Sequence, residues 1–262
     1  MGFFLALTAD NLSWKLKFFL TLSYQQFRQA ILTPKIRPSR NQTKSQNARI
    51  VFDLDGTLID SAPDIQGIAN AGLTKIGFAP ITLEETHEFI GAGIQNFIEQ
   101  MRAARGVPDR YQEPLLKDLT ARYETAVELT VMYPGVPEAL ANLAQSHQLG
   151  ICTNKLYKPC ISVLKHLKID QFFKTVWGGD NALARKPDPA PLQAAFADLG
   201  TGTCIFVGDS EIDAETAQRA EVPFILFTQG YRNKPIEEIP HNLALDKFAD
   251  LNKEIEALLE KL

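Results

Sequence analysis

A chain of 262 residues has room for one large domain, or for a core with a smaller companion, around a well-filled apolar interior. Hydrophobic residues make up 45% and charged residues 22%, which excludes a disordered chain, and no uninterrupted apolar run reaches the ~18 residues that a membrane span needs. The net charge of −4 is unevenly spread: residues 1–49 carry eight lysines and arginines against the single acid Asp10, leaving eleven net negative charges on the rest, an acidic body that argues against general nucleic-acid binding.

Residues 1–47 differ from everything after them. Apolar stretches at Phe3 to Leu7 and Phe18 to Leu22 precede a polar, basic tail from Pro34 to Asn47. No basic segment precedes the apolar part, so a secretory signal fits poorly. The segment reads as an N-terminal extension: a transit-like leader, a disordered tail, or sequence upstream of the true start. Three cysteines, Cys152, Cys160 and Cys204, lack the spacing of a metal site and have apolar neighbours. They read as buried thiols of a reducing, cytoplasmic protein.

From residue 48 the pattern becomes regular. Ile50-Val51-Phe52 is an apolar run entering Asp53-Leu54-Asp55-Gly56-Thr57, which predicts a buried strand ending in a turn. A long stretch, 66–133, then shows no strand-like run. It carries helical periodicity near 63–76, 82–90, 94–104 and 112–130, broken by Gly77-Phe78-Ala79-Pro80, Gly91-Ala92-Gly93 and Gly106-Val107-Pro108. Tyr133-Pro134-Gly135 marks the return. Strand-like runs recur at Leu149–Cys152, Thr175–Trp177, Cys204–Val207 and Phe224–Phe227, alternating with helical patterns at 157–167, 188–199, 211–220 and 248–261. Such alternation predicts an α/β fold: a Rossmann-like parallel sheet with helices on both faces. The catalytic core spans 48–65 and 134–262, and 66–133 is a small α-helical cap inserted after the first core strand.

Ligands of such a sheet bind beyond the carboxyl ends of its strands. The polar groups at those ends are Asp53 with Asp55, Thr153 with Asn154, and Asp209. Asp53 and Asp55 are two residues apart, so alternation puts both carboxylates on one side. One could attack while the other handles protons. An Asp-Gly turn alone is common, but Asp53-Leu54-Asp55-Gly56-Thr57-Leu58 directly after a strand is more specific. Asp209 and Asp213 suit helix capping as well as chemistry. Four carboxylates in one crevice would repel unless cations compensate, and an all-oxygen set selects Mg²⁺ over zinc.

This first motif resembles that of the haloacid-dehalogenase-like superfamily, and the other motifs of that superfamily follow in order. Thr153 ends the second core strand in Ile151-Cys152-Thr153-Asn154-Lys155. Lys186 precedes a helix in Arg185-Lys186-Pro187-Asp188-Pro189, and Gly208-Asp209-Ser210-Glu211-Ile212-Asp213 is the acidic fourth motif. The resemblance covers about residues 48–230 and implies catalysis through an aspartyl-phosphate. Asp53 would be the nucleophile and Asp55 the general acid and base. Lys186 and Thr153 would hold the phosphoryl group. Mg²⁺ would lie on Asp53, the carbonyl of Asp55 and Asp209, with Asp213 in the outer shell or holding Lys186.

Within the superfamily, Asp60-Ser61-Ala62-Pro63-Asp64, Thr153-Asn154-Lys155 and Gly178-Gly179-Asp180 look most like bacterial phosphoglycolate phosphatases. Leu156 departs from them, where many members have proline. That likeness implies a small phosphorylated metabolite as substrate, and a monomer or homodimer is expected. Pyrophosphatase, sugar-phosphate phosphatase and β-phosphoglucomutase-like mutase remain alternatives. The backbone amide of Asn154 would join Thr153 on the phosphoryl oxygens, and for the substrate's carboxylate the candidates are Lys155, Gly91 and Gly93. The two glycines equally suit a helix stop and flexible link, and Lys155 a surface position. Ser61 with Asp64 predicts a capping box, Arg102 and Arg105 are expected in solvent, and His87 and His147 have no ligand-like partner.

Overall fold

The computed structural model describes residues 47–262, so the reading of 1–47 as an extension lies, Asn47 apart, outside the described residues. The first strand, β1 (Ala48–Phe52), is the run expected before Asp53. Two short strands, β2 (Ile59–Asp60) and β3 (Val131–Met132), pair antiparallel as a ribbon. Five more follow: β4 (Gln148–Cys152), β5 (Phe173–Trp177), β6 (Thr203–Gly208), β7 (Phe224–Phe227) and β8 (Leu243–Leu245). The six longer-range strands form one parallel sheet in the order β5-β4-β1-β6-β7-β8, with β1 hydrogen-bonded to β4 and β6.

The apolar runs are continuous because both sheet faces are covered. Ile50 and Phe52 join Ile151, Ile205 and Val207 in one cluster, while Val51 joins Cys152 and Phe206 in another. Period-two alternation thus divides each strand between two cores. Nine helices of four residues or more are described. In chain order they begin with α1 (Ala62–Lys75), α2 (Leu83–Phe89), α3 (Ile94–Arg105) and α4 (Gln112–Tyr123). The rest are α5 (Val136–Leu143), α6 (Tyr157–His166), α7 (Ala190–Asp198), α8 (Glu211–Ala220) and α9 (Leu251–Leu259). Helices α5, α6 and α9 cover the first core and α7 and α8 the second. None of the described helices is long and apolar enough to cross a membrane.

Helices α1 to α4 gather a third apolar cluster that includes Ala69, Leu73, Phe97, Ile98, Met101, Leu115 and Leu119. Full burial of such a side chain is worth roughly 1.5–3 kcal/mol, so this insert has a core of its own. Thr82 and Glu85 form a reciprocal capping box that opens α2, and Gly106 at φ +63° ends α3.

Several expectations are corrected. The helix expected over 112–130 stops at Tyr123, because the Asp64 carboxylate accepts from Leu129 N (2.9 Å) and Thr130 Oγ1 (2.7 Å) and draws that segment toward β3. The stretch read as strand-free therefore contains a strand. Ser61 and Asp64 make no capping box: Asp64 is engaged as described, and Ser61 Oγ donates to Asp55 Oδ1 at 2.6 Å. Arg102 is buried, paired with Asp109 and donating to Gln112 Oε1 at 2.7 Å; Arg105 pairs with Glu85. Cys152 and Cys160 are buried free thiols, whereas Cys204 is half-buried and accepts from Arg49 Nη2 at 3.0 Å.

Candidate active site

The carboxyl ends of β1, β4 and β6 converge. The Asp53 amide donates to Val207 O at 2.9 Å, which continues the β1–β6 ladder one residue and fixes the backbone from which Asp53 projects. One oxygen each from Asp53, Asp209 and Asp213 lies within 4.8 Å of the others. The Lys186 ammonium sits among them, 2.8 Å from Asp53 Oδ1 and 2.6 Å from Asp213 Oδ1.

The acids differ in how fully they are used. Asp213 Oδ2 accepts from Asp209 N (3.2 Å), Ser210 N (3.1 Å) and Ser210 Oγ (2.7 Å), and its Oδ1 takes Lys186. It therefore caps α8 and holds the lysine at once, both readings the sequence left open. Asp209 accepts from Thr57 Oγ1 at 2.6 Å and from Tyr231 N at 2.7 Å. Asp53 Oδ1 is ion-paired with Lys186, and beyond that contact this buried oxygen has no hydrogen-bond partner among the described residues. Burial raises the Asp53 carboxyl to about 7, with Lys186 opposing and Asp213 adding to the shift. Burial, then Asp213 and Asp53, push Asp209 well above the ordinary carboxylate range. Burial works against the charge of Lys186, yet Asp213 and Asp53 hold it above an ordinary lysine.

Anionic oxygens so raised, one of them with no described partner but Lys186, fit a hard divalent cation. The backbone makes room for it. Gly56, at φ +86°, lies so close to Asp209 that an added Cβ would fall 2.4 Å from Oδ2, and one on Gly230 would fall 2.3 Å from Asp209 Cβ. Lys186→Met should destabilise the metal-free protein by roughly 3–5 kcal/mol, because two buried carboxylates lose their cation. Denaturant titration measures this, and an unchanged midpoint would contradict it.

Asp55, two residues beyond Asp53, has a separate set of partners. Its carboxylate accepts from Ser61 Oγ and from Lys155 Nζ, at 3.0 and 3.2 Å to its two oxygens. Lys155 is therefore a buried residue of the site, not a surface lysine, and Nζ also reaches Tyr123 OH at 2.9 Å. Asn154 has its side chain fully occupied: Nδ2 donates to Gly91 O (2.9 Å) and Lys186 O (3.0 Å), and Oδ1 accepts from Lys186 N (3.0 Å). That clamp ties the β4 loop, the Lys186 loop and the insert together. Thr153 Oγ1 accepts from Lys155 N at 3.2 Å.

Asp53, Asp55, Thr153, Asn154 and Lys155 line one cavity with Gly91 and Gly93 of the insert. The sequence-identified residues thus converge on two adjoining places, an acidic pocket around Asp53 and the cavity above it. Sequence reasoning missed Thr57, Tyr123 and Tyr231. Tyr231 OH accepts from Ser61 N (2.9 Å) and Ala62 N (3.2 Å) and donates to Asp60 Oδ1 (2.6 Å), serving as the cap of α1. It also stacks on His87, at 4.8 Å between ring centroids. Thr57 stood within the first motif and was findable there; the two tyrosines carry no local signal.

The family profile of haloacid dehalogenase-like hydrolases matches residues 50–227. A phosphoglycolate phosphatase of Cereibacter sphaeroides is 44% identical over 197 residues, covering 74% of this chain and 90% of that protein. One from Rhodobacter capsulatus is 38% identical over 205 residues, covering 77% and 94%. Among solved structures, a predicted phosphoglycolate phosphatase from Haemophilus somnus superimposes with a TM-score of 0.75 at 28% identity, covering 81% of this chain and 99% of that one.

Proposed function

We propose that this chain, which belongs to the haloacid dehalogenase-like hydrolase family, is a phosphoglycolate phosphatase that converts 2-phosphoglycolate to glycolate and phosphate. The single observation that carries the reading is the cavity joining the Asp53 pocket to the insert. Its core side is acidic and basic, and its insert side is lined by Ile65, Ile68, Ile90, Ile94, Phe97 and Leu119. A sugar phosphate would bring several hydroxyls against that wall and leave them unpaired, at roughly 1–3 kcal/mol each. A two-carbon substrate brings only a methylene and a carboxylate.

Asp53 attacks phosphorus, forming its carboxylate–phosphorus bond as the bond from phosphorus to the glycolate oxygen breaks. Asp55, held by Ser61 and Lys155 beside the nucleophile, delivers a proton to the departing oxygen. It then removes one from the water that hydrolyses the acyl phosphate, regenerating Asp53. Lys186, fixed by Asp213 and by the Asn154 clamp, places a positive charge against the phosphoryl oxygens, with the Thr153 hydroxyl beside it. Mg²⁺ bound by Asp53, the Asp55 carbonyl and Asp209 would neutralise phosphoryl charge and let an anionic carboxylate approach. At the other end, the loop Gly91–Gly93, with Gly93 at φ +88° opening α3, offers backbone amides to the carboxylate. The helical insert serves as a cap over a cytoplasmic catalytic core.

The test is Mg²⁺-dependent phosphate release across a panel of small phosphate esters. kcat/KM for 2-phosphoglycolate should exceed that for glucose 6-phosphate and pyrophosphate by about tenfold or more. A preference for a sugar phosphate would overturn the substrate assignment while leaving the hydrolase chemistry standing.

A further inference from the structure

Tyr123, the last residue of α4, meets Lys155 inside the cavity, with Nζ 2.9 Å from the phenol oxygen. An ammonium carries only donors, so the tyrosine oxygen is the acceptor in this pair. The phenol proton is left for another partner, and it makes no hydrogen bond to an acceptor among the described residues. Tyr123 is buried from bulk solvent and lines the cavity. A buried donor left unmade costs roughly 1–3 kcal/mol. Burial pushes the phenol up to about 12, which keeps it a protonated donor at neutral pH.

Its surroundings sharpen the point. The other insert side chains on the cavity wall are isoleucine, leucine and phenylalanine, so the Tyr123 hydroxyl is the one polar side-chain group the insert offers there. Lys155 is already committed to both oxygens of Asp55 and shares its charge with them. An anion entering the cavity needs a donor that is not already spent.

We propose that Tyr123 is a specificity-determining residue whose hydroxyl donates to the carboxylate at the non-phosphate end of the substrate, beside the ammonium of Lys155. The inference rests on the phosphoglycolate reading, which supplies that carboxylate. The apolar wall packs the methylene, and the tyrosine reads what lies beyond it.

Tyr123→Phe removes one oxygen and keeps the ring. It is assayed against 2-phosphoglycolate and ethyl phosphate, which differ in having a carboxylate or a methyl group at the same place, with the melting temperature measured alongside. A hydrogen bond to a charged group is worth ~1.5–3 kcal/mol, so kcat/KM for 2-phosphoglycolate should fall roughly 10–100-fold, mainly through KM. The loss on ethyl phosphate should be smaller by about fivefold or more, and the melting temperature shows that the variant is folded. Equal losses on both substrates in a folded variant overturn the inference, since the tyrosine would then merely position Lys155 and Asp55. No loss on either overturns it too. A wild-type enzyme that hydrolyses ethyl phosphate as well as 2-phosphoglycolate would instead overturn the substrate reading from which the inference starts.

Discussion

Asp53→Asn is expected to yield a folded protein whose turnover is lower by roughly 10⁴-fold or more, the scale of losing a nucleophile. The substitution keeps the shape and removes the attacking oxygen. Folding should survive because Asp53 N still donates to Val207 O and because the neutral amide removes a carboxylate whose charge is penalised by burial. Steady-state assay with circular dichroism measures both halves of the prediction. Turnover within about tenfold of wild type would mean that another group attacks phosphorus.

Removal of divalent metal should have an effect of similar size on activity and a second, separate effect on stability. EDTA should abolish phosphate release, Mg²⁺ should restore it, and Ca²⁺ should not, because its looser geometry holds the ligands less strictly. The stability effect has a definite sign. The folded Asp53 carboxyl is raised to about 7 and Asp209 is raised as well, whereas unfolded carboxyls titrate near ~3.9. Between those values the unfolded chain binds fewer protons, so the stability of the metal-free protein falls as pH rises. Asp53 therefore favours the fold below pH ~4, and that contribution is lost as pH passes through about 7, with Asp209, also raised, acting in the same direction. Mg²⁺ relieves the repulsion that remains, so its increment in melting temperature should be larger at pH 7.5 than at pH 5. At a concentration 100 times its Kd it would stabilise the fold by ~2.7 kcal/mol. Scanning calorimetry with and without Mg²⁺ at the two pH values measures this; an equal or reversed increment would contradict it.

Strong signals in the sequence correspond to residues whose role is set by near neighbours. The strands before Asp53, Thr153 and Asp209 are apolar runs buried on both faces, and β1, β4 and β6 lie where those runs are. Asp209 and Asp213 share one helix start, so their spacing already implies their proximity. What was not legible depends on distance along the chain. Tyr231 caps a helix that begins about 170 positions earlier, and nothing around it marks that partner. Ser61 looked like a capping residue because its local string suits one; Asp55 accepts its hydroxyl instead. Strand β8 has three residues and the β2–β3 ribbon two per strand, too few for alternation to register. Lys155 could be a surface lysine or a site residue until the fold brought Asp55 and Tyr123 to it.

The central claim is that hydrolysis passes through phosphorylated Asp53, and it can be tested by stopping the reaction there. Asp55→Asn lacks the base that discharges the intermediate, and p-nitrophenyl phosphate has a leaving group that needs no acid. Rapid mixing of the two with Mg²⁺, followed by acid quench and peptide mass spectrometry, reads the trapped species directly. The account predicts a burst of nitrophenolate approaching one equivalent per active site, then slow turnover, with the phosphoryl group on the peptide that contains Asp53. Steady hydrolysis without a burst and without phosphorylated protein, or a phosphoryl group on any other residue, would contradict it.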